Sequence, residues 1–105
     1  MFTFIETKLF TSLSDEIFSD DALSELQEFL RKNPEVGDIV PGSGGVRKMR
    51  WGTPGRGKRG GLRIIYYLRS RKGQIWFLTL YPKSETDSIP GRILKQIKDE
   101  IDGES

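Results

Sequence analysis

Four short segments of the chain have the hydrophobic pattern of β-strands, and in the first of them apolar and polar residues alternate. One lies at residues 2–6, and three follow in the middle, at 46–51, 62–68 and 75–81. The central three are rich in β-branched and aromatic residues, which pack well on a pleated sheet. Arg71-Lys72-Gly73 lies between the last two and is typical of a short hairpin connection. The pattern therefore predicts four strands, three of them consecutive.

Helical periodicity flanks this group of strands. Residues 19–32 predict the clearest helix, because Ser19 can cap its first turn and the acidic and basic pairs at its two ends suit the helix dipole. One side of this segment carries an apolar stripe of Ala22, Leu23, Leu26, Phe29 and Leu30. Residues 8–18 predict one or two further helical turns. A last helix is expected after Lys83, where Ile93, Leu94, Ile97 and Ile101 share one face.

The order of these elements predicts an α+β fold. A strand and two helices precede three consecutive strands, and a helix follows them. Consecutive strands pair most simply as antiparallel neighbours. We therefore expect a small antiparallel sheet with the helices packed on one face. With 105 residues, no internal repeat and no long linker, the chain has room for a single domain over 1–105.

The composition excludes several kinds of chemistry. The chain contains no cysteine, which removes disulfides, thiolate nucleophiles and cysteine-ligated metals. It contains no histidine, which removes the usual general base and the commonest metal ligand. No apolar run approaches the roughly 20 residues of a membrane span, and the N-terminus lacks the features of a signal peptide. We expect a soluble, cytoplasmic protein that makes no contact with membranes.

Charge is segregated along the chain more strongly than the net charge of +2 suggests. Residues 39–84 contain eleven cations and no acid, a formal charge of +11. The flanks hold the other six cations and all fifteen acids, which makes them formally −9. Such a basic segment indicates a site for a polyanion, with nucleic acid favoured over membrane. The alternative is a basic surface that serves only solubility.

Strand alternation gathers some of these cations on one side of the sheet. Lys48 and Arg50 point to the same side of the first central strand, and Arg63 occupies the second. If helices cover the other side, these three residues form a basic face, and Lys83 at the end of the last strand can join them. The alternative is that all four are ordinary solvated strand residues.

The turn at 52–59 reads GTPGRGKR and nearly matches a phosphate-binding P-loop. Arg59 occupies the place of the magnesium-binding hydroxyl, and a strand follows where a helix is required, so we reject that motif. We expect a basic hairpin tip whose glycines allow close approach to a phosphate chain. Its cations are Arg56, Lys58 and Arg59. Aromatic residues interleaved with the cations suit base stacking, although alternation places most of them in the core.

Three segments, GVRKMRW, GKRGGLRIIYYL and FLTLYPKSE, resemble the RelE superfamily of bacterial toxins, and its HigB-type branch in particular. The resemblance spans residues 45–85 and implies a small α+β domain. Members commonly cleave messenger RNA in the ribosomal A site without a metal. In this chemistry a ribose 2′-hydroxyl attacks the adjacent phosphate and leaves a 2′,3′-cyclic product.

The resemblance implies roles for individual residues. Lys48 matches a candidate base or electrostatic stabiliser, Arg50 a phosphate clamp and Arg63 the arginine that stabilises the transition state. Lys83 is expected to act as an acid or as a second clamp. Further RNA contacts are expected from Arg47, Arg56, Lys58, Arg59, Tyr67 and Ser84. A lysine surrounded by cations is a feasible base, because like charges lower its pKa.

The same resemblance implies the partners. These are the ribosome with its messenger RNA and a cognate antitoxin, often one with a helix-turn-helix DNA-binding domain through which operator DNA would be reached. No cofactor or metal is implied. Three alternatives stay open: a non-catalytic relative that binds a protein target such as gyrase, a plain RNA- or ribosome-binding module, and an unrelated DNA-binding domain. The last has no support from a basic recognition helix.

Overall fold

The computed structural model describes residues 1–52, 61–83 and 89–103. These residues form five strands and three helices. In chain order they are β1 (Thr3–Glu6), α1 (Lys8–Ile17), α2 (Asp20–Lys32), β2 (Asp38–Ile39), β3 (Val46–Trp51), β4 (Leu62–Arg69), β5 (Gln74–Pro82) and α3 (Gly91–Gly103). A 3₁₀ turn over Ser70–Lys72 connects β4 to β5. The predicted α+β class is confirmed.

The five strands form one sheet in the order β1-β5-β4-β3-β2. The pairs β2–β3, β3–β4 and β4–β5 are antiparallel, as the hairpin pattern predicts. β1 instead pairs with β5 in parallel, so the sheet is mixed and the prediction of a wholly antiparallel sheet is wrong. Parallel neighbours need a long crossover between them. The elements from α1 to β4 lie between β1 and β5 in the chain and form this crossover.

Helices cover both faces of the sheet, which corrects the prediction that they pack on one. On one face, Phe10 of α1 stacks on Phe77 of β5 with ring centroids 4.6 Å apart, and Leu26 and Leu30 of α2 join the same core. On the other face, Leu94 and Ile101 of α3 pack in a separate core. The reason lies in β4, whose Ile64 and Ile65 point to opposite faces and are both buried. Because both faces of this strand are apolar, each face must be packed against a helix to be shielded from water.

The capping residues explain where α1 and α2 begin. The Ser19 hydroxyl accepts a hydrogen bond from the N–H of Ala22 at 3.1 Å and caps α2 as predicted. Thr7 does the same for the N–H of Phe10 at 3.0 Å. Its hydroxyl also donates to the carbonyl of Leu78 at 2.7 Å, which ties the start of α1 to β5. α1 therefore forms a full ten-residue helix where the sequence indicates one or two turns.

The predicted loop at 35–45 contains the short strand β2, which pairs with β3 at the sheet edge. Beyond β2, a turn with positive φ at Gly42, Gly44 and Gly45 leads back into β3. The start of α3 packs against this turn. Gly91 makes that possible, because a Cβ there would collide with the carbonyl of Pro41. No helix in the described ranges has the length and apolar character needed to cross a membrane.

Candidate functional site

Two arginines stand directly opposite each other in the middle of the sheet. Arg50 of β3 pairs with Arg63 of β4, and Lys48 lies two residues from Arg50 on the same face. Side chains opposite each other in antiparallel strands have Cβ atoms about 4.5–5.5 Å apart, and like charges at that spacing destabilise a sheet. The predicted basic face is therefore present at these three positions. Three positive charges so close together favour the binding of an anion.

α3 divides this face of the sheet into two halves. It packs against Val46, Ile65 and Leu78 and covers the half of the face that also carries Tyr67 and Arg69. We call this the covered half. The open half consists of Lys48, Arg50, Arg63 and Tyr81. The sequence prediction treated the whole face as available, whereas α3 covers one half of it.

Tyr81 is a candidate site residue that the sequence prediction did not include. It lies on β5 directly opposite Arg63 and also packs against the apolar core of the covered half, so it stands between that core and the three cations. Burial raises the pKa of its phenol, and the positive charge of Arg63 partly offsets that rise. The phenol is therefore protonated at neutral pH and can donate a proton or a hydrogen bond. Sequence reasoning can place Tyr81 in the site only through the register of β4 and β5. That register depends on the irregularity after Ile65.

Lys83 lies one residue beyond the end of β5. Its backbone N–H donates to the carbonyl of Gly61 at 3.1 Å, which extends the pairing of β4 and β5 by one step. The side chain is exposed and continues the column of Tyr81 along the same face. The structure thus places Lys83 at the margin of the open half and the other three predicted catalytic residues inside it.

A groove of about 550 Å³ follows the edge of β3 beyond the end of β2, and we call it the edge groove. In the described part of the chain, its walls combine cations, aromatic and aliphatic side chains and one acid. These described lining residues are Phe29, Val36, Asp38, Lys48, Met49, Arg50, Trp51 and Arg63. Its size is in the range of small-ligand sites. Three of the four predicted catalytic residues therefore line one groove.

Arg47 lies on the opposite face of β3 from Lys48 and bonds to the segment that precedes Asp38. Alternation turns it away from Lys48 toward the face with α1 and α2, and its guanidinium donates to the carbonyls of Glu35 and Gly37 at 3.1 and 2.8 Å. The structure therefore does not bring Arg47 together with the other predicted site residues. It holds the segment that carries Asp38 to the edge of β3.

Tyr66 holds the same segment from the core. Its hydroxyl donates to the carbonyl of Pro34 at 2.8 Å and accepts from the N–H of Gly37 at 2.9 Å. A Cβ at Gly37 would come within 2.9 Å of the Tyr66 ring, so only glycine allows this approach. Burial raises the pKa of Tyr66, which keeps the hydroxyl a donor. The Asp38 wall of the edge groove is thus fixed in position by the folded core.

Tyr67, predicted to contact RNA, belongs to the covered half. Its hydroxyl lies 3.0 and 3.1 Å from the two carboxylate oxygens of Asp102 in α3, and the ammonium of Lys98 lies 5.9 Å from the centre of its ring. Burial and the hydrogen bond to Asp102 raise the pKa of Tyr67. The structure therefore separates it from the open half and engages it in the attachment of α3.

Asp102 forms ion pairs with two cations of the covered half, Arg69 and Lys98. Arg69 Nε lies 3.1 Å from one carboxylate oxygen and Lys98 Nζ 3.1 Å from the other. Burial by itself raises the pKa of Asp102, but the hydrogen bonds from Lys98 and Tyr67 and the charges of Lys98 and Arg69 together bring it below its usual value. A second groove of about 720 Å³ lies beside this cluster. Because Asp102 already supplies its anion, we assign the functional site to the edge groove.

Four predicted RNA contacts, Arg56, Lys58, Arg59 and Ser84, lie outside the described residues. Within the described ranges, no group of three or more acidic side chains is placed to hold a metal ion. No model of a known protein family matches the chain. The functional interpretation therefore depends on the open half, the edge groove and the sequence resemblance to RelE-type toxins.

Proposed function

We propose that the protein is the toxin of a type II toxin–antitoxin system and acts as a ribosome-dependent endoribonuclease on messenger RNA. The observation that carries the proposal is the pairing of Arg50 with Arg63 beside Lys48 in one groove. Three cations close together create a positive potential that attracts an anion such as a phosphodiester. The sequence resemblance supports RNA as the source of the phosphodiester.

Cleavage in this proposal needs no metal. The ribose 2′-oxygen attacks the adjacent phosphorus, and its proton passes to a base. The bond from phosphorus to the 5′-oxygen of the next nucleotide breaks as an acid protonates that oxygen. The products are a 2′,3′-cyclic phosphate and a free 5′-hydroxyl, so the atoms and charges balance. Two positive charges near the phosphate stabilise the added negative charge of the transition state.

The residues of the open half can supply each part of this reaction. Lys48 serves as the base or as an electrostatic stabiliser, Arg50 clamps the phosphate and Arg63 stabilises the transition state. Two residues are candidates for the acid. Lys83 lies at the margin of the open half, whereas Tyr81 lies directly opposite Arg63, is protonated at neutral pH and is therefore the better placed of the two.

The proposed partners follow from this activity. They are the ribosome with its messenger RNA, which would place the site in the cytoplasm, and a cognate antitoxin that covers the open half or prevents entry into the ribosome. The antitoxin, with a helix-turn-helix domain, would contact operator DNA.

Primer extension on a defined messenger RNA tests the proposal. The RNA is translated in vitro with the wild-type protein, with Arg63→Ala and with Arg71→Ala, an exposed cation of the 3₁₀ turn that serves as the matched control. We expect ribosome-dependent cuts that Arg63→Ala weakens by about 100-fold or more and Arg71→Ala leaves in place. Blocked translation with intact messenger would favour a ribosome-binding module. Intact messenger with normal translation would favour a protein target such as gyrase.

A further inference from the structure

The edge groove contains one residue that a phosphate site does not need. Among the lining residues that the structure describes, Asp38 is the single acid, and it pairs across the sheet with Lys48. A carboxylate at this place repels a phosphate and weakens its binding. Tyr66 and Arg47 nevertheless hold the preceding segment through four hydrogen bonds, so the backbone that leads to Asp38 is held beside the groove. A carboxylate held there is suited to accept hydrogen bonds from a part of the ligand other than its phosphate.

The groove also has an aromatic wall. Trp51, at the end of β3, is half-buried, and its ring packs on Phe29 of α2 with centroids 5.2 Å apart and planes tilted by 52°. Phe29 supports one part of the indole, while Trp51 itself lines the groove. Base stacking on an aromatic side chain is worth about 1–3 kcal/mol in single-stranded nucleic-acid sites. A nucleobase is the ligand part that combines a flat ring with hydrogen-bond donors for Asp38.

The backbone of β3 adds a donor and an acceptor at the same edge. The N–H of Val40 donates to the carbonyl of Val46 at 2.9 Å across this edge. Alternation turns the backbone groups of Lys48 and Arg50 to the same side. β2 begins at Asp38, opposite Lys48, so the backbone groups of Arg50 face the groove and not a neighbouring strand. The groove thus offers a backbone N–H near a carboxylate.

We propose that the edge groove binds a guanine base of the RNA, with Asp38 reading its Watson–Crick edge. Guanine presents two adjacent donors, N1–H and the N2 amino group, which match the two oxygens of a carboxylate, and beside them the O6 acceptor, which matches the N–H of Arg50. Adenine, cytosine and uracil each present a single donor position on this edge, with acceptors that a carboxylate repels. This inference rests on the proposed function, since it makes the groove the specificity pocket of the same RNA site.

Binding of trinucleotides tests the inference without the ribosome. The probes are the single-stranded RNAs AGA, AAA, ACA and AUA, titrated by calorimetry into the wild-type protein. We expect AGA to bind roughly tenfold more tightly than the other three. Equal affinity for the four probes, or no measurable binding of any of them, would overturn the proposal.

A pair of variants identifies the residue responsible. Asp38→Asn replaces one acceptor by a donor and should abolish the preference for AGA. Asp15→Asn makes the same chemical change on the exposed surface of α1 and should keep it. A preference that survives Asp38→Asn would overturn the role of Asp38.

These outcomes are distinguishable from failure of the proposed function. A preference for AGA that depends on Asp38, found with a protein that does not cut messenger RNA, supports guanine recognition and contradicts the nuclease. Cuts that require Arg63 but occur with equal frequency at codons with and without guanine support the nuclease and contradict guanine recognition.

Discussion

β4 carries two arginines on the same face of the sheet, and their surroundings are opposite. Arg69, in the covered half, has its guanidinium nitrogen 3.1 Å from the carboxylate of Asp102 and is 13% exposed. Arg63, in the open half, stands opposite another arginine, Arg50. The two ends of the strand thus differ in a neighbour of the arginine: a carboxylate of α3 beside Arg69 and a second arginine opposite Arg63.

This difference separates a structural use of charge from a functional one. The ion pairs of the covered half attach α3 to the sheet, together with the apolar contacts of Leu94 and Ile101. In the open half, Arg50 and Arg63 stand opposite each other across β3 and β4, a spacing at which like charges repel. An external anion that binds there would reduce that repulsion. Function should therefore be sensitive to the open half, and stability to the covered half.

The largest expected effect is on activity, through Arg50→Glu. The new carboxylate stands opposite Arg63 and turns a repulsive pair into an attractive one, which should stabilise the fold by up to about 1 kcal/mol. The same change places a negative charge where the proposed function places the phosphate, and cleavage should fall by at least about 100-fold. Cleavage assays and thermal unfolding of the same preparation check both parts.

Arg71→Glu is the matched control for that variant. It makes the same charge change in the 3₁₀ turn beside the covered half, and we expect it to cut messenger RNA like the wild type. A loss of cleavage equal to that of Arg50→Glu would mean that total charge, and not the position of Arg50, determines activity.

The next effect is on stability, through Asp102→Asn. This change removes the charge that Arg69 and Lys98 share, in a side chain that is 34% exposed. Hydrogen bonds to charged groups and solvent screening together predict a loss of about 1 kcal/mol and a fall of several degrees in Tm. Asp99→Asn, in an exposed ion pair of the same helix, should leave Tm essentially unchanged. Differential scanning calorimetry of the two variants measures the contrast.

The smallest expected effect is the pH dependence of the stabilisation that the Asp102 carboxylate provides. Because the pKa of Asp102 in the folded protein lies below its usual value of 3.8, the folded state favours the charged carboxylate. The stabilisation is complete above pH 3.8 and is lost as the pH falls through the lower, folded pKa. The difference in unfolding free energy between wild type and Asp102→Asn should therefore close only in acid. Urea titrations at a series of pH values measure it, and a difference that disappears near neutral pH would contradict this origin.

The elements that local sequence determines were predictable. α2 begins at its serine cap and buries its apolar stripe, and the three central strands follow from their β-branched and aromatic residues. α1 was underestimated because its capping threonine is fixed by a bond to the distant carbonyl of Leu78. β2 was missed because two residues carry no periodicity, and the hydroxyl of Tyr66, about thirty positions away, holds the segment before it.

The sequence of β4 carries a pattern that predicts helices on both faces of the sheet. The run from Ile64 to Leu68 is apolar on both sides of the strand, which is typical of a strand covered on both faces. That pattern indicates the position of α3 and hence the division of the basic face. The cluster of Lys48, Arg50 and Arg63 was predictable because it depends only on alternation and simple pairing. Tyr81 and Asp38 were not, because their places depend on long-range register.

The comparison of Arg63 with Arg69 is the most direct test of the account. Both are replaced by alanine, and each variant is measured for cleavage of a translated messenger RNA and for Tm. We predict that Arg63→Ala loses about 100-fold or more in cleavage at nearly unchanged Tm, while Arg69→Ala loses several degrees in Tm and cleaves like the wild type below its unfolding transition. The reverse pattern, or equal loss of cleavage in both variants, would contradict the assignment of function to the open half.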